Sequence, residues 1–155
     1  MQGPQVTSRR AGRVLVIDPA GRVLLLQGFD PARPGSRYWF TIGGGLADGE
    51  GTAQAAAREL REEAGIDASA AELGGPVYWR TAEFSFAGTR YRQDEEYYML
   101  QVGQVQVSLA GLDDIERGTV TGYRWWSPEE LSATTEPVFP PGLPEMLRGL
   151  PERPA

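Results

Sequence analysis

The chain has 155 residues, 41% apolar and 23% charged, with a formal net charge of -6. That length suits one compact globular domain, and the acidic balance argues against a nucleic-acid binder, which needs a basic field to offset phosphate charge. With no cysteine, no histidine and arginine supplying all 15 basic side chains, disulfides, thiolate nucleophiles, imidazole bases and lysine Schiff bases are excluded. Chemistry is left to carboxylates, hydroxyls, arginines and any metal that carboxylates can hold.

The opening "MQGPQVTSRRAGRVLVID" lacks the apolar stretch and cleavage site of a secretory peptide. No apolar run approaches the ~18 residues of a membrane span. The expectation is a cytoplasmic protein with a single domain over 1–155, residues 1–10 and 151–155 being flexible ends. "RVLVID" and "RVLLLQG" around "PAG" read as two short strands and a turn, and residues 28–37, with Pro, Gly, Asp and Ser, as a loop. "YWFTI" is a third strand running into the loop "GGGLADGEG". From Thr52, placed as N-cap, to Ala64 the chain consists of strong helix formers, with Gly65 where a C-terminal glycine belongs.

Three aromatic and β-branched segments follow: "VYWRTAEFSFAG", "TRYRQDEEYYMLQVGQVQV" and "GYRWWS". "SPEEL" then starts a short helix capped by Ser127 with Pro128 in its first turn, and the tail holds a helical turn or two around Leu143 to Leu150. The order β-β-β-α-β-β-β-α suggests an α/β (α+β) domain, a mixed sheet covered by helices.

Within the long helix, "RELREEAGI" crowds three glutamates. Glu59 lies three residues from Glu62 and four from Glu63, so all three are expected on one helix face, where like charges repel by a few tenths of a kcal/mol. Arg58 to Glu62 is the one opposite-charge i,i+4 pair within the cluster. A solvated helix face is the ordinary reading of such a cluster. A hard divalent cation such as Mg²⁺ would reward the crowding, since it prefers oxygen ligands and takes only a few protein carboxylates.

The upstream residues complete a pattern of fixed spacing: Gly44, five residues, Glu50, seven residues, Arg58-Glu59-Leu60, one residue, Glu62-Glu63, one residue, Gly65-Ile66. This resembles the Nudix box, the signature of the Nudix hydrolase superfamily, at every fixed position. Chance agreement at a given start is on the order of 10⁻⁸. The order of the remaining segments is also similar to that family, so the resemblance implies a Nudix fold with the sheet sandwiched between helices.

The resemblance further implies a Mg²⁺-dependent hydrolase, with Mn²⁺ as substitute, in which water attacks phosphorus in the diphosphate linkage of a nucleoside diphosphate derivative. Nucleotide sugars, ADP-ribose-like compounds, dinucleoside polyphosphates and nucleoside triphosphates all remain open as substrates. Carried onto this sequence, it makes Glu59, Glu62 and Glu63 metal ligands together with the backbone carbonyl of Gly43. Gly44, Glu50 and Gly65 are structural parts of the box, with Glu50 and Arg58 forming an internal ion pair. Ala47 stands where many relatives carry another glutamate. Catalysis is assigned to Glu62, Glu63, Arg58 and a downstream acid from "QDEEYY", Glu95 ahead of Glu96, with Glu83 behind both. Arg37, Arg80, Arg90 and Arg92 are candidates for phosphate contacts, and Tyr38 and Phe40, either side of Trp39, for base stacking, although strand alternation sends one of each adjacent pair into the core. The partner is then a small molecule, with no membrane or stable nucleic-acid partner, and a homodimer is compatible with the sequence. The alternative function is a Nudix module that senses a nucleotide without cutting it; such modules usually lose box glutamates, and this chain keeps them.

Overall fold

The computed structural model describes residues 5–151. β1 (Val6–Ile17) and β2 (Val23–Phe29) form the opening hairpin. Its turn is closed by Asp18, whose Oδ1 accepts from the backbone N–H of Ala20 at 3.0 Å and of Arg22 at 2.8 Å. Val6 to Arg10, assigned from the sequence to a flexible end, belong to β1, because they run parallel to β5 (Thr89–Gln101) in register from Val6 opposite Arg90 onward. Backbone pairing carries the strand through side chains too polar to signal it. Residues 1–4 and 152–155 of the expected flexible ends lie outside the described residues.

β3 (Arg37–Gly45) runs further than "YWFTI", through all three glycines, because Ile42 to Gly45 pair with Val14 to Ala11 of β1. α1 (Thr52–Ala64) follows. Its N-cap is Gly51 and not Thr52; the Gly51 N–H donates to Gln54 Oε1 at 2.7 Å. Thr52 is instead buried against β5, where its hydroxyl meets Glu96 Oε2 at 2.7 Å and Tyr98 Oη at 2.6 Å. Gly65 closes the helix with φ of 69°, a left-handed conformation in which a side chain would be strained.

α2 (Ala70–Leu73), β4 (Tyr78–Phe86) and β5 come next. β5 stops at Gln101, short of the expected strand, and the chain turns back so that Ser108 N–H donates to Ala64 O at the end of α1. α3 (Asp114–Thr119), β6 (Val120–Trp126), α4 (Pro128–Ala133), β7 (Val138–Phe139) and α5 (Leu143–Arg148) complete the fold. Ser127 and Pro128 start α4 as the sequence suggests.

The strands form one mixed sheet in the order β4-β5-β1-β2-β3-β7, with β6 on β2 and a further pairing of β1 with β3. The period-two alternation of the strands builds two cores. Val14, Val16, Leu24, Leu26, Ile42 and Tyr98 face α1 and pack on Ala56, Leu60 and Ala64. Leu15, Ile17, Leu25, Trp39, Tyr97 and Trp126 face the other way and meet Leu131 of α4 with Leu143 and Met146 of α5. The sheet is therefore sandwiched between helices. Fully burying a leucine such as Leu60 contributes about 1.5–3 kcal/mol, which anchors the face of α1 that carries the glutamates. No described helix is long and apolar enough to cross a membrane.

Candidate active site

α1 rests on the glycines at the end of β3, and that contact creates the site. The Gly43 N–H donates to Glu63 Oε1 at 2.8 Å. A Cβ on Gly43 would stand 2.3 Å from the backbone oxygen of Gly12, so only glycine lets β3 lie this close, and a Cβ on Gly44 would meet Glu59 Oε1 at 2.7 Å and push that carboxylate aside. Across from them α3 brings in Glu116, and carboxylate oxygens of Glu59, Glu63 and Glu116 all lie within 4.8 Å of one another. α3 is fixed by a reciprocal cap: Asp113 Oδ1 accepts from the Glu116 N–H at 2.8 Å, while Glu116 Oε1 accepts from the Asp113 N–H at 3.2 Å.

Burial pushes the Glu63 carboxyl well above the usual range, and the charges of Glu59 and Glu116 push it further. Burial also raises Glu59 and Glu116, Glu59 against the opposing pull of Arg58. Among the described residues, neither Glu63 nor Glu116 has an ion-pair partner. Three hard oxygen donors converge with only Glu59 of them in an ion pair among the described residues, which fits a divalent ion of the Mg²⁺ type.

Glu62 is not part of this grouping. At about 100° per residue, a step of three falls about 60° to one side of Glu59 and a step of four about 40° to the other. Glu62 and Glu63 therefore diverge, and Glu62 turns toward Arg58, whose Nη1 donates to Glu62 Oε2 at 3.3 Å and to Glu59 Oε1 at 3.0 Å. Arg58 also grips Glu50 with two bonds, Nε to Oε2 at 2.8 Å and Nη2 to Oε1 at 2.9 Å, and reaches Gly45 O at 3.1 Å. Glu50 in turn accepts from the Ala47 N–H at 2.8 Å. This ion pair ties the loop to the helix, and it holds the Glu50 carboxyl below its ordinary pKa and the Arg58 guanidinium above its own.

Glu95 lies away from the cluster. Neighbouring residues on β5 face opposite sides of the sheet, and α1 covers the side of Glu96 and Tyr98. Glu95 points to the other side, with Tyr97. There it accepts from Arg13 Nε at 3.0 Å, Arg80 Nη1 at 3.2 Å, Gln93 Nε2 at 2.7 Å and Tyr97 Oη at 2.8 Å. Arg13 also donates to the carbonyls of Thr41 at 3.0 Å and Gly43 at 3.2 Å. The Gly43 carbonyl thus already serves Arg13. Glu96 reaches the start of α1 through Thr52 and pairs with Arg10 at 3.4 Å, away from the cluster.

A NUDIX domain model matches residues 7–148 of the chain. The chain belongs to the Nudix family. Among solved structures, its fold is similar to a MutT protein from Methanosarcina mazei Go1, at 18% identity over 94% of each chain with a TM-score of 0.66. It is also similar to a MutT NUDIX hydrolase from Burkholderia pseudomallei, at 17% identity over 92% of this chain and 97% of that one, TM-score 0.63. The Escherichia coli dihydroneopterin triphosphate pyrophosphohydrolase shares 26% identity over 85% of this chain and 90% of its own, TM-score 0.59. No curated protein matches the sequence closely enough to count as a relative. Its family places the chain among the pyrophosphohydrolases.

The other Nudix-derived candidates divide by position. The Tyr38 and Phe40 rings lie 5.7 Å apart, tilted by 51°, and Tyr38 meets Phe139 of β7 edge-on at 5.7 Å. A Cβ on Gly28 would be 2.8 Å from Thr119 O and 3.2 Å from Phe40 Cε1, so this aromatic wall adjoins the end of α3. Arg37 is exposed, and Arg92 is an exposed partner of Glu83 at 2.8 Å. Arg80 is committed to Glu95. Glu116 was not among the residues picked out by sequence, although the D-x-x-E spacing of Asp113 and Glu116 is a helix-start signal. The same spacing in Ser69 and Glu72 marks α2.

Proposed function

We propose that this Nudix domain is a Mg²⁺-dependent hydrolase, with Mn²⁺ able to substitute, that cleaves the diphosphate linkage of a nucleoside diphosphate derivative with water as nucleophile. The observation that carries this reading is the convergence of Glu59, Glu63 and Glu116 within 4.8 Å, with buried Glu63 in no ion pair among the described residues. Glu59, Glu63 and Glu116 would hold the ion, which when bound supplies charge neutralisation on phosphate oxygens and polarises water. Glu62 shares Arg58 Nη1 with Glu59 and stands beside this site, already paired with that guanidinium.

The Gly43 N–H fixes the rotamer of Glu63, and Arg58 fixes Glu59 and the loop. Glu116 replaces Glu95 as the downstream acid. It comes from α3, held by its reciprocal cap with Asp113, and completes the ligand set from outside the box helix. Tyr38 and Phe40 offer the base a stacking surface beside α3. Similar solved structures include proteins named for Ap4A hydrolysis and for ADP-ribose pyrophosphatase activity, at 21% and 23% identity, so both substrate types belong in the trial set.

The test is a panel of nucleotide sugars, ADP-ribose, dinucleoside polyphosphates and nucleoside triphosphates with Mg²⁺, scoring orthophosphate, pyrophosphate and monophosphate products. Turnover of at least one member, abolished by excess EDTA, is expected. Undiminished turnover in EDTA contradicts the mechanism, and tight binding without turnover would instead support a sensing module.

A further inference from the structure

On the sheet face opposite α1, the chain holds more positive charge than it neutralises. Arg9, Arg13 and Arg80 gather around a single carboxylate, Glu95, among the described residues. Arg13 is spent on Glu95 and two carbonyls, and Arg80 on Glu95. Arg9 has no ion-pair partner among the described residues; its Nε donates to Gln93 Oε1, leaving its terminal nitrogens without a partner there. The guanidinium is nonetheless held in place, lying 4.3 Å from the Tyr91 ring centroid and 5.8 Å from that of Phe84.

The support beneath it is built and dry. Gln93 is fully buried, and its Nε2 donates to Glu95 Oε2 at 2.7 Å, which turns its carbonyl oxygen toward Arg9. Glu95 therefore acts on Arg9 through Gln93. The head of Arg9 lies beside the box loop: a Cβ on Gly45 would be 3.6 Å from its Nη1. Glu59 is near enough for its charge to act on Arg9. A fixed, partly exposed guanidinium with free forked donors, next to the loop that adjoins the acidic cluster, matches the needs of a phosphate oxygen pair.

We infer that Arg9 is a substrate-binding residue that clamps the polyphosphate part of the ligand, with Gln93 and Glu95 as positioning residues and Tyr91 and Phe84 as its aromatic bed. The physiological ligand rests on the hydrolase reading given above, but the clamp is testable without it. Inorganic pyrophosphate is titrated calorimetrically into the full chain in EDTA and low salt, comparing wild type with Arg9→Gln, Arg9→Lys and, as a charge control, Arg148→Gln at the exposed end of α5. Binding should weaken by about tenfold or more in Arg9→Gln, as expected for loss of a charged bidentate contact. Arg9→Lys should recover part of it, because a point charge replaces the fork, and Arg148→Gln should match wild type.

Equal affinity in Arg9→Gln and wild type overturns the clamp. So does an equal loss in Arg148→Gln, which would mean that overall charge is being read, and so does the absence of binding to wild type at millimolar pyrophosphate. Because no turnover is measured in EDTA, a failed hydrolase reading leaves this result standing. With any substrate from the panel, Arg9→Gln should raise KM while kcat holds, the mark of lost uniform binding; a fall in kcat at unchanged KM would contradict a clamping role.

Discussion

Glu63 and Glu95 are almost equally buried, 2% and 4% exposed, yet the protein treats them in opposite ways. Glu95 receives two arginines, a tyrosine hydroxyl and a glutamine amide, and Arg13 with these hydrogen bonds holds its carboxyl below the ordinary range in spite of burial. Glu63 receives one backbone N–H and faces two further carboxylates, and it is driven far upward. Burial alone does not fix the charge of a carboxylate; what completes its coordination does. The chain completes Glu95 from its own side chains and, on the proposed hydrolase reading, leaves Glu63 to a cation from outside.

The contrast predicts opposite linkage to pH. The lowered pKa of Glu95 contributes stability that is present above the ordinary glutamate value and lost as pH falls through the folded value. The raised pKa of Glu63 contributes stability that is full below the ordinary value and lost as pH rises through the folded one. The largest effect should come from breaking the satisfied side. Glu95→Gln leaves buried Arg13 without its anion and should cost about 3–5 kcal/mol in urea unfolding; a cost below about 1 kcal/mol would mean that the network is not what secures that face.

On the unsatisfied side, Glu116→Gln should lower kcat by at least about 10–100-fold, the scale of losing even an outer-shell metal contact, while the fold is kept, because it removes a ligand charge without removing volume. Near-wild-type turnover would remove Glu116 from the cation site. The smallest change should follow Glu62→Gln, which loses one exposed ion pair worth about 0–1 kcal/mol of stability and should reduce kcat less than Glu63→Gln does. An equal or greater loss would show that Glu62 joins the metal site when it is occupied.

Much of this was legible in the sequence, because box spacing and strand alternation are local. Gly44, Glu50, Arg58, Glu59 and Glu63 sit within the end of one strand, one loop and one helix, so their mutual placement follows from helical geometry and from a loop tied to that helix. Glu95 could not be placed in the same way. Which face of β5 looks at α1 depends on its parallel register with β1, a pairing of residues more than 80 positions apart. Glu116 reaches the cluster only through a loop that turns back under α1, where Ser108 N–H bonds to Ala64 O. Arg9 was hidden for a related reason: without the partner strand, a polar β1 start reads as a free arm.

The most direct test of the central claim is thermal unfolding of wild type and Glu63→Gln from about pH 5 to 8, a range reaching upward from the ordinary glutamate pKa, in EDTA and in excess Mg²⁺. In EDTA the wild-type melting temperature should fall as pH rises through the raised Glu63 value, and Mg²⁺ should restore it by binding the folded state. Glu63→Gln should melt higher than wild type in EDTA at the upper end and respond little to Mg²⁺. An equal Mg²⁺ response in the two proteins, or a wild-type melting temperature in EDTA that rises across this range, would contradict the assignment of Glu63 and its neighbours as a cation site.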